Sequence, residues 1–505
     1  MFTKHPALIL TSLFVVLSQA CGGQGSALPR STPEAEGIDS AGVLSFVETL
    51  ENRIDAVHSV MLVRHGKVVA EGWWNPYAAG DIHITYSATK SFTATAIGFA
   101  AQEGLLSVHD KVLSFFPDLA PTNPFPQMKN MRIRDLLIMS TGHQSNTMDL
   151  LRARKDGQWR RAFLETDVEH KPGTHFLYNS GASYMLSAIV QKVSGKTIQE
   201  YLQPRLFEPL GMEKVLWGLS PEGIGLGDGG LSIKTEDLAK FGLLYLQKGV
   251  WNGRRLLSEQ WVEEATSRQT STGSDPDSHW DQGYGYQFWR NKGDGYRADG
   301  AQGQFSFVLP KQDIVLAVTS GTSDTKGMMD IVWEHLLPAV HDAALPENPA
   351  AREKLAAKLA SLSLPVQRGA PSSPRMTEVS RTVYAFTNNE QGIETVAVDF
   401  STPRPVLTIW DADGTHNITC GVGEWVRQHT DFQKRISMLF DEPGQGLAAC
   451  GAWTDDNTFK AKLCFNETPY TMTAALKFED DKLLLDMEQN VRWGPTKHPR
   501  IIGKR

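Results

Sequence analysis

Four cysteines in 505 residues are too few for a disulfide-built scaffold, so the chain must be held by an ordinary apolar core. A large excess of one charge sign is missing as well: 50 Lys and Arg stand against 57 Asp and Glu, a net of −7 with the 14 His neutral. That balance offers no basic stripe for a phosphate backbone and argues against nucleic acid as a partner. Beyond the N-terminus no apolar run is long enough to cross a bilayer as a helix. Gly-x-Ser-x-Gly, His-Glu-x-x-His, His-x-His-x-Asp-His and a Gly-rich phosphate loop are all missing. These absences speak against α/β-hydrolases, zinc hydrolases and nucleotide enzymes. No cofactor or metal is implied.

What is present begins with "MFTKHPALILTSLFVVLSQACGG". One lysine (Lys4), an apolar run from Ala7 to Leu17 and the small residues Ser18-Gln19-Ala20 have the layout of a secretory signal peptide over 1–20. The expectation is an exported protein, periplasmic or secreted. Cys21 then heads a Gly/Ser tether over 21–30. A lipid on Cys21 would make that tether a membrane anchor, although Ser18 stands where such signals carry leucine. Plain export and lipidation both remain open. The other cysteines, Cys420, Cys450 and Cys464, allow one disulfide. Cys450 and Cys464 flank the turn-like "TDDN" of 454–457 and would suit a cross-hairpin bond; three buried thiols are the alternative.

From 31 to 345 helical and strand-like stretches alternate. "HSVMLVRHGKVVAEGWW" (58–74) reads as a hairpin turning at Gly66. Ser91 to Glu103 reads as a helix apolar on most sides, hence buried, and stopped at Gly104. The stretches 131–143, 181–195 and 235–249 also have helical spacing, while 283–290 and 304–320 alternate like adjacent strands. At 346–376 an Ala/Lys-rich helical piece gives way to a Pro/Ser-rich linker. Residues 377–505 are almost wholly short strands with Asp/Gly/Asn turns, which predicts an antiparallel sheet or small barrel.

The stretch that carries chemistry is "TYSATKSFTATAIGFAAQEGLL" (85–106). Residues three apart on a helix share a face, so Ser87 and Lys90 are side by side. Ser-x-x-Lys arises about twice by chance in a chain of this length. The second instance, Ser323-Asp324-Thr325-Lys326, lies in a polar Gly/Ser/Thr loop and reads as a turn or helix cap. Ser87 differs in setting, because it opens a buried helix whose free N–H groups favour developing negative charge. A serine hydroxyl becomes a nucleophile when a neighbour takes its proton, and a lysine does so when burial keeps it neutral. A third group to pass that proton on is found in "FLYNSGASYML", where Tyr178 precedes the next helix.

"SATK", "YNSG" some ninety residues on, "IRDLLIMSTGH" between them and "GGLSIKTEDLAKFGLLYLQKGVWNGRRLL" after them resemble the class C β-lactamase-type serine hydrolases. That family includes class C β-lactamases, D-alanyl-D-alanine carboxypeptidases, D-aminopeptidases, esterases and 6-aminohexanoate-dimer hydrolases. The resemblance covers about 31–345. It implies an α/β (α+β) transpeptidase-like fold, an antiparallel sheet flanked by helices with a helical subdomain, here followed by an all-β domain. Carried over by motif, Ser87 is the nucleophile, Lys90 its base, Tyr178 the proton relay, and Ser180 stands where many members have Asn.

The third family motif departs. Members specific for β-lactams or D-Ala-D-Ala carry Lys or His, a small residue and Gly on the strand lining the cleft. Here "YRADGAQGQFSFVLP" puts Ala301-Gln302-Gly303 there, with the N–H groups of Gln304 and Ser87 as the expected oxyanion hole. The cation is absent, and Arg297, four residues earlier, is either a partial substitute or a solvated strand-edge residue. Trp73, Trp74, Tyr284, Tyr286 and Trp289 crowd the presumed cleft as packing residues, with one or two as candidates for a substrate groove. The expected substrate is a small-molecule or short-peptide ester or amide, cleaved by an exported serine hydrolase that is not a true β-lactamase. An acyltransferase on the same site and a non-catalytic cell-wall binding or sensor protein are the alternatives.

Overall fold

The hairpin expected around Gly66 is the start of the main sheet. In the computed structural model, which describes residues 27–432 and 444–505, strands β1 (Val57–Arg64) and β2 (Lys67–Trp73) meet through His65 and Gly66. Both turn residues have positive φ, 50° and 74°, the two-residue turn whose twist matches that of its strands. The leader and Cys21 lie outside the described residues. Among those described, no helix is long and apolar enough to cross a membrane.

Four more strands complete a six-stranded antiparallel sheet: β3 (Trp289–Arg290), β4 (Tyr296–Gly300), β5 (Gln304–Leu309) and β6 (Ile314–Ser320). The spatial order is β2-β1-β6-β5-β4-β3. Strand β1 is buried along its whole length, with Met61 and Val63 in one apolar core and Val60 and Leu62 in another. A sheet covered on both faces reads as a continuous apolar run, as in "HSVMLV". One cover is helix α4 (Thr235–Leu246), which lies across β1, β5 and β6; the other includes α1 (Ser40–Arg53). Gly242 of α4 lets helix and sheet touch, since a Cβ there would fall 2.5 Å from Ser306 Oγ and 2.7 Å from Val315 Cγ1.

The buried helix that begins after Ser87 is α2 (Thr89–Gln102), one to two residues from the expected bounds, and α3 (Ser180–Ser194) packs against it. The polar side chains that α2 buries are all spoken for: Ser91 Oγ donates to the Gln287 carbonyl, Thr93 Oγ1 to that of Gly227, and Thr95 Oγ1 pairs with the Tyr245 hydroxyl. The segment 283–290 does not form the expected strand beyond Trp289–Arg290. Gln287 has a φ of 61°, and its amide turns inward to the Leu136 and Leu137 carbonyls and to Ser183 Oγ. An aromatic alternation that looks strand-like is here a loop built around one buried amide.

The segment expected to be a linker is docked. Helix α5 (Pro349–Ala360), capped by Asn348 Oδ1, rests on α1 and β2, and Leu355, Leu362 and Leu364 are buried in the second core. The strap runs beside Asn75, whose N–H and carbonyl bond to Leu362 and Leu364, and then pairs Ala370 with Trp453 of the next domain.

The described strands that follow the strap are β7 (Tyr384–Phe386), β8 (Ile393–Asp399), β9 (Val406–Asp411), β10 (Gly414–Thr419), β11 (Val426–Thr430), β12 (Gln445–Asp455), β13 (Thr458–Cys464), β14 (Thr471–Glu479), β15 (Lys482–Gln489) and β16 (Ile501–Lys504). They form one antiparallel sheet of ten, ordered β10-β9-β8-β7-β16-β15-β14-β13-β12-β11, curled to near closure. Gln428 stitches the seam by accepting from the Thr419 N–H at 3.0 Å and donating to its carbonyl at 2.9 Å. Among the described residues, side chains such as Leu407, Leu463 and Met472 fill the interior around a cavity of about 10 Å³. Cys420, Cys450 and Cys464 are buried free thiols. The hairpin register sets Lys462 opposite Cys450 and Ala448 opposite Cys464, so the expected facing pair does not form.

Leu362→Ala should lower stability by about 2–4 kcal/mol, because it empties a packed site between strap and sheet. A urea melt together with limited proteolysis across 361–372 measures it. A loose linker would give no change in the midpoint and rapid cleavage in the wild type.

Candidate active site

The turn Tyr86–Ala88 and helix α2 carry the two residues singled out first. The turn is fixed from behind: Thr85 N–H donates to the Leu231 carbonyl, Leu231 N–H to Thr89 Oγ1, and Thr85 Oγ1 bonds Thr89 Oγ1. Lys90 is 1% exposed, and its Nζ donates to Ser87 Oγ at 3.1 Å and to the Asp228 carbonyl at 2.7 Å. Both acceptors are uncharged, so burial dominates and pushes the Lys90 amine down to about 8. The Asp228 carboxylate opposes that shift and Arg152 adds to it. About one Lys90 in ten is therefore neutral at pH 7, against about one in three thousand for an ordinary lysine.

Tyr178 completes the cluster. Its ring lies 5.0 Å from Lys90 Nζ, and Tyr178 lines the same cleft as Ser87. Burial raises the phenol well above its usual range; the nearby Ser87 side chain opposes this while the Asp299 and Asp228 charges add to it. Tyr178 thus rests as a proton donor. Its ring is stacked on Trp289 at 5.6 Å and meets the edge of Tyr284 at 6.3 Å. Neither aromatic borders the cleft, nor do Trp73, Trp74 and Tyr286. Their role is to hold the phenol or fill the core.

The cleft measures about 550 Å³ and exposes Ser87, Tyr178, Ser180 and Ala301 together. Ser180 opens α3 and donates its N–H to Asn146 Oδ1 at 2.9 Å. Gln304 is fully buried, its side-chain amide donating to the carbonyls of Ser320 and Ala301 at 2.7 and 3.2 Å. Gly303 has a φ of 86° in the turn between β4 and β5, where a Cβ would meet Ser320 Oγ at 2.2 Å. The glycine that abuts the nucleophile turn is Gly300, whose Cβ would sit 2.1 Å from the Thr85 carbonyl and 3.2 Å from Ala88 N. The residue bordering the cleft at this approach is therefore Ala301, and Gln304 lies behind it.

Arg297 is neither a substrate cation nor a solvated edge residue. It is 0% exposed, paired with Asp299 at 2.9 Å, and donates to the Arg290 carbonyl and Asn291 Oδ1. Its guanidinium lies 5.9 Å from the Trp289 ring, so it braces the aromatic that supports Tyr178. The second Ser-x-x-Lys pair is separated: Ser323 is exposed, Asp324 caps the helix Thr325–Ile331, and Lys326 pairs with Asp330 at 2.6 Å.

Several cleft residues carried no signal in the sequence. The short helix Met148–Arg152 contributes Met148, Asp149 and Arg152, with Asn146 just before it, and the "GLGDGG" loop contributes Leu226 and Asp228. Arg152 reaches Asp228 Oδ2 at 3.5 Å, while the other oxygen, Oδ1, is buried without a hydrogen-bond partner. Trp493 borders the cleft from the C-terminal domain. Among the described residues no group of three or more His, Cys, Asp or Glu is arranged to hold a metal ion.

A family model for β-lactamases matches residues 50–339. The 6-aminohexanoate-dimer hydrolase of Paenarthrobacter ureafaciens is 26% identical over 316 residues, covering 58% of this chain and 80% of that protein. The lovastatin esterase of Penicillium rubens is 26% identical over 172 residues, which is 29% of this chain and 42% of the esterase. The solved structure of the octameric penicillin-binding protein homologue from Pyrococcus abyssi aligns over 92% of this chain and 99% of its own, with 19% identity and a TM-score of 0.46. Since the matched family spans more than half of the chain and includes the Ser87, Lys90 and Tyr178 cluster, the protein belongs to the β-lactamase family.

Proposed function

We propose that this protein is an exported serine hydrolase that cleaves an ester or amide through a covalent acyl-enzyme on Ser87, and that it is not a true β-lactamase. The observation that carries the reading is the buried Lys90 amine 3.1 Å from Ser87 Oγ. Neutral Lys90 takes the Ser87 proton as Oγ attacks the substrate carbonyl. The carbonyl oxygen then gains negative charge, for which the backbone N–H groups of Ser87 and Ala301 are the proposed donors. Collapse of the tetrahedral intermediate breaks the bond to the leaving group, which takes its proton from Tyr178. The phenol is reprotonated from Lys90. Water attacks the acyl ester in the second half, Lys90 accepting its proton, and Ser87 leaves protonated.

Support for excluding β-lactams comes from the place of the third motif. Ala298, Asp299 and Gly300 run beside the nucleophile turn, and Arg297 is tied up in the Asp299 pair, so this wall presents no free cation to a carboxylate. Relatives named as a dimer hydrolase and an esterase agree with an amide or ester bond as the target.

Ser87→Ala should reduce p-nitrophenyl acetate hydrolysis by about 10⁴-fold or more with an unchanged circular dichroism spectrum, whereas Ser323→Ala should retain wild-type rates. Full activity in Ser87→Ala ends the proposal. The pH profile follows from the sign of the Lys90 shift: the base works when deprotonated, so kcat/KM should climb about tenfold per pH unit up to about 8 and level above it. A limb with its midpoint near 6, or above 10, contradicts lysine as the base.

A further inference from the structure

The cleft is not built by one domain. Its side chains from Tyr86 to Ala301 belong to the hydrolase fold, yet Trp493 comes from the loop between β15 and β16 of the barrel. At 64% exposure it is the most exposed large apolar side chain described. An indole left open to water inside a cleft that also holds a nucleophile is placed to be covered by something that enters the cleft.

Two contacts fasten the barrel to the hydrolase fold near this position. Asn490 Nδ2 donates to the carbonyls of Gly321 and Pro469 at 2.8 and 2.9 Å, and its Oδ1 accepts from Thr471 N–H at 2.7 Å. Gly321, directly after β6, has no room for a side chain: a Cβ would stand 2.1 Å from the Pro469 carbonyl and 2.7 Å from Asn490 Nδ2. Barrel rim and catalytic sheet therefore meet backbone to backbone. The second contact is at the nucleophile itself. Tyr86 has a φ of 44°, a left-handed conformation that is uncommon for an L residue with a bulky side chain. Its ring packs on the barrel core and its hydroxyl bonds that of Tyr470 at 2.6 Å.

We propose that the C-terminal barrel supplies two working parts of the site, Trp493 as a specificity-determining wall and Tyr470 as a positioning residue for the Tyr86–Ser87 turn. The substrate class that follows is an ester or amide bearing an aryl or bulky alkyl substituent beyond the scissile bond, which stacks on Trp493 with Met148 and Leu226 as further apolar surface. This rests on the acyl-enzyme reading of Ser87, and the test separates the two.

The full-length enzyme and its Trp493→Ala, Trp493→Phe and Tyr470→Phe variants are assayed by pH-stat on ethyl acetate, phenyl acetate, ethyl phenylacetate and phenyl phenylacetate. Each is also labelled with a fluorophosphonate. Trp493→Ala should lower the ratio of kcat/KM for at least one aryl-bearing ester to that for ethyl acetate by about tenfold or more, through KM, with Trp493→Phe restoring most of it. Tyr470→Phe removes one hydrogen bond and should lower kcat about fivefold on all four esters with KM held. Wild-type enzyme that takes no label at Ser87 overturns the hydrolase reading. Labelled enzyme whose ester preference survives Trp493→Ala overturns the inference alone, as does a Tyr470→Phe loss that appears only as a lower melting temperature with kcat intact.

Discussion

The structure depends on a lysine kept out of water. Placing an amine beside Ser87 with only uncharged acceptors disfavours its charged form, and the surrounding fold must offset that cost. Because the folded-state value is below that of an unfolded lysine, the folded chain binds fewer protons. The penalty is absent above pH 10.5, grows as pH falls towards 8, and is complete below, at about 3 kcal/mol. The device that makes this affordable is α2, apolar for most of its length, with its buried hydroxyls Ser91, Thr93 and Thr95 each given a partner.

Around that amine the molecule is layered. Arg297 and Asp299 brace Trp289, Trp289 and Tyr284 hold Tyr178, and Tyr178 lies over Lys90. On the other side the Asp228 carbonyl fixes the amine, and Gly300 lets β4 press against the turn that carries Ser87. The strap from α5 to Ala370 and the glycine contact at 321 then fasten the barrel to this arrangement. What the barrel offers the cleft is its rim, through Trp493.

Local patterns were legible in the sequence where they serve local geometry. The hairpin at Gly66, the buried helix after Ser87 and the C-terminal strands follow from turn chemistry and periodicity, and Ser87, Lys90 and Tyr178 come from motifs that the structure brings into one cluster. Readings that required a third dimension failed. Alternating aromatics over 283–290 looked like a strand because the positive φ of Gln287 has no sequence mark. The strap looked like a linker because Leu362 and Leu364 are buried only by a partner far away in the chain. Two glycines, Gly300 and Gly303, compete for the third motif, and the close approach to Thr85 that distinguishes them is visible only in space. Arg152, Asp228 and Trp493 reach the cleft from segments without periodicity or spacing to announce them.

The most direct measurement is a titration of the Lys90 amine by NMR in protein carrying isotope-labelled lysine, assigned with Lys90→Arg. A midpoint near 8 is expected from its burial. A midpoint above 10, the range of a lysine in water, would mean that the amine is charged at working pH and would contradict its role as the base.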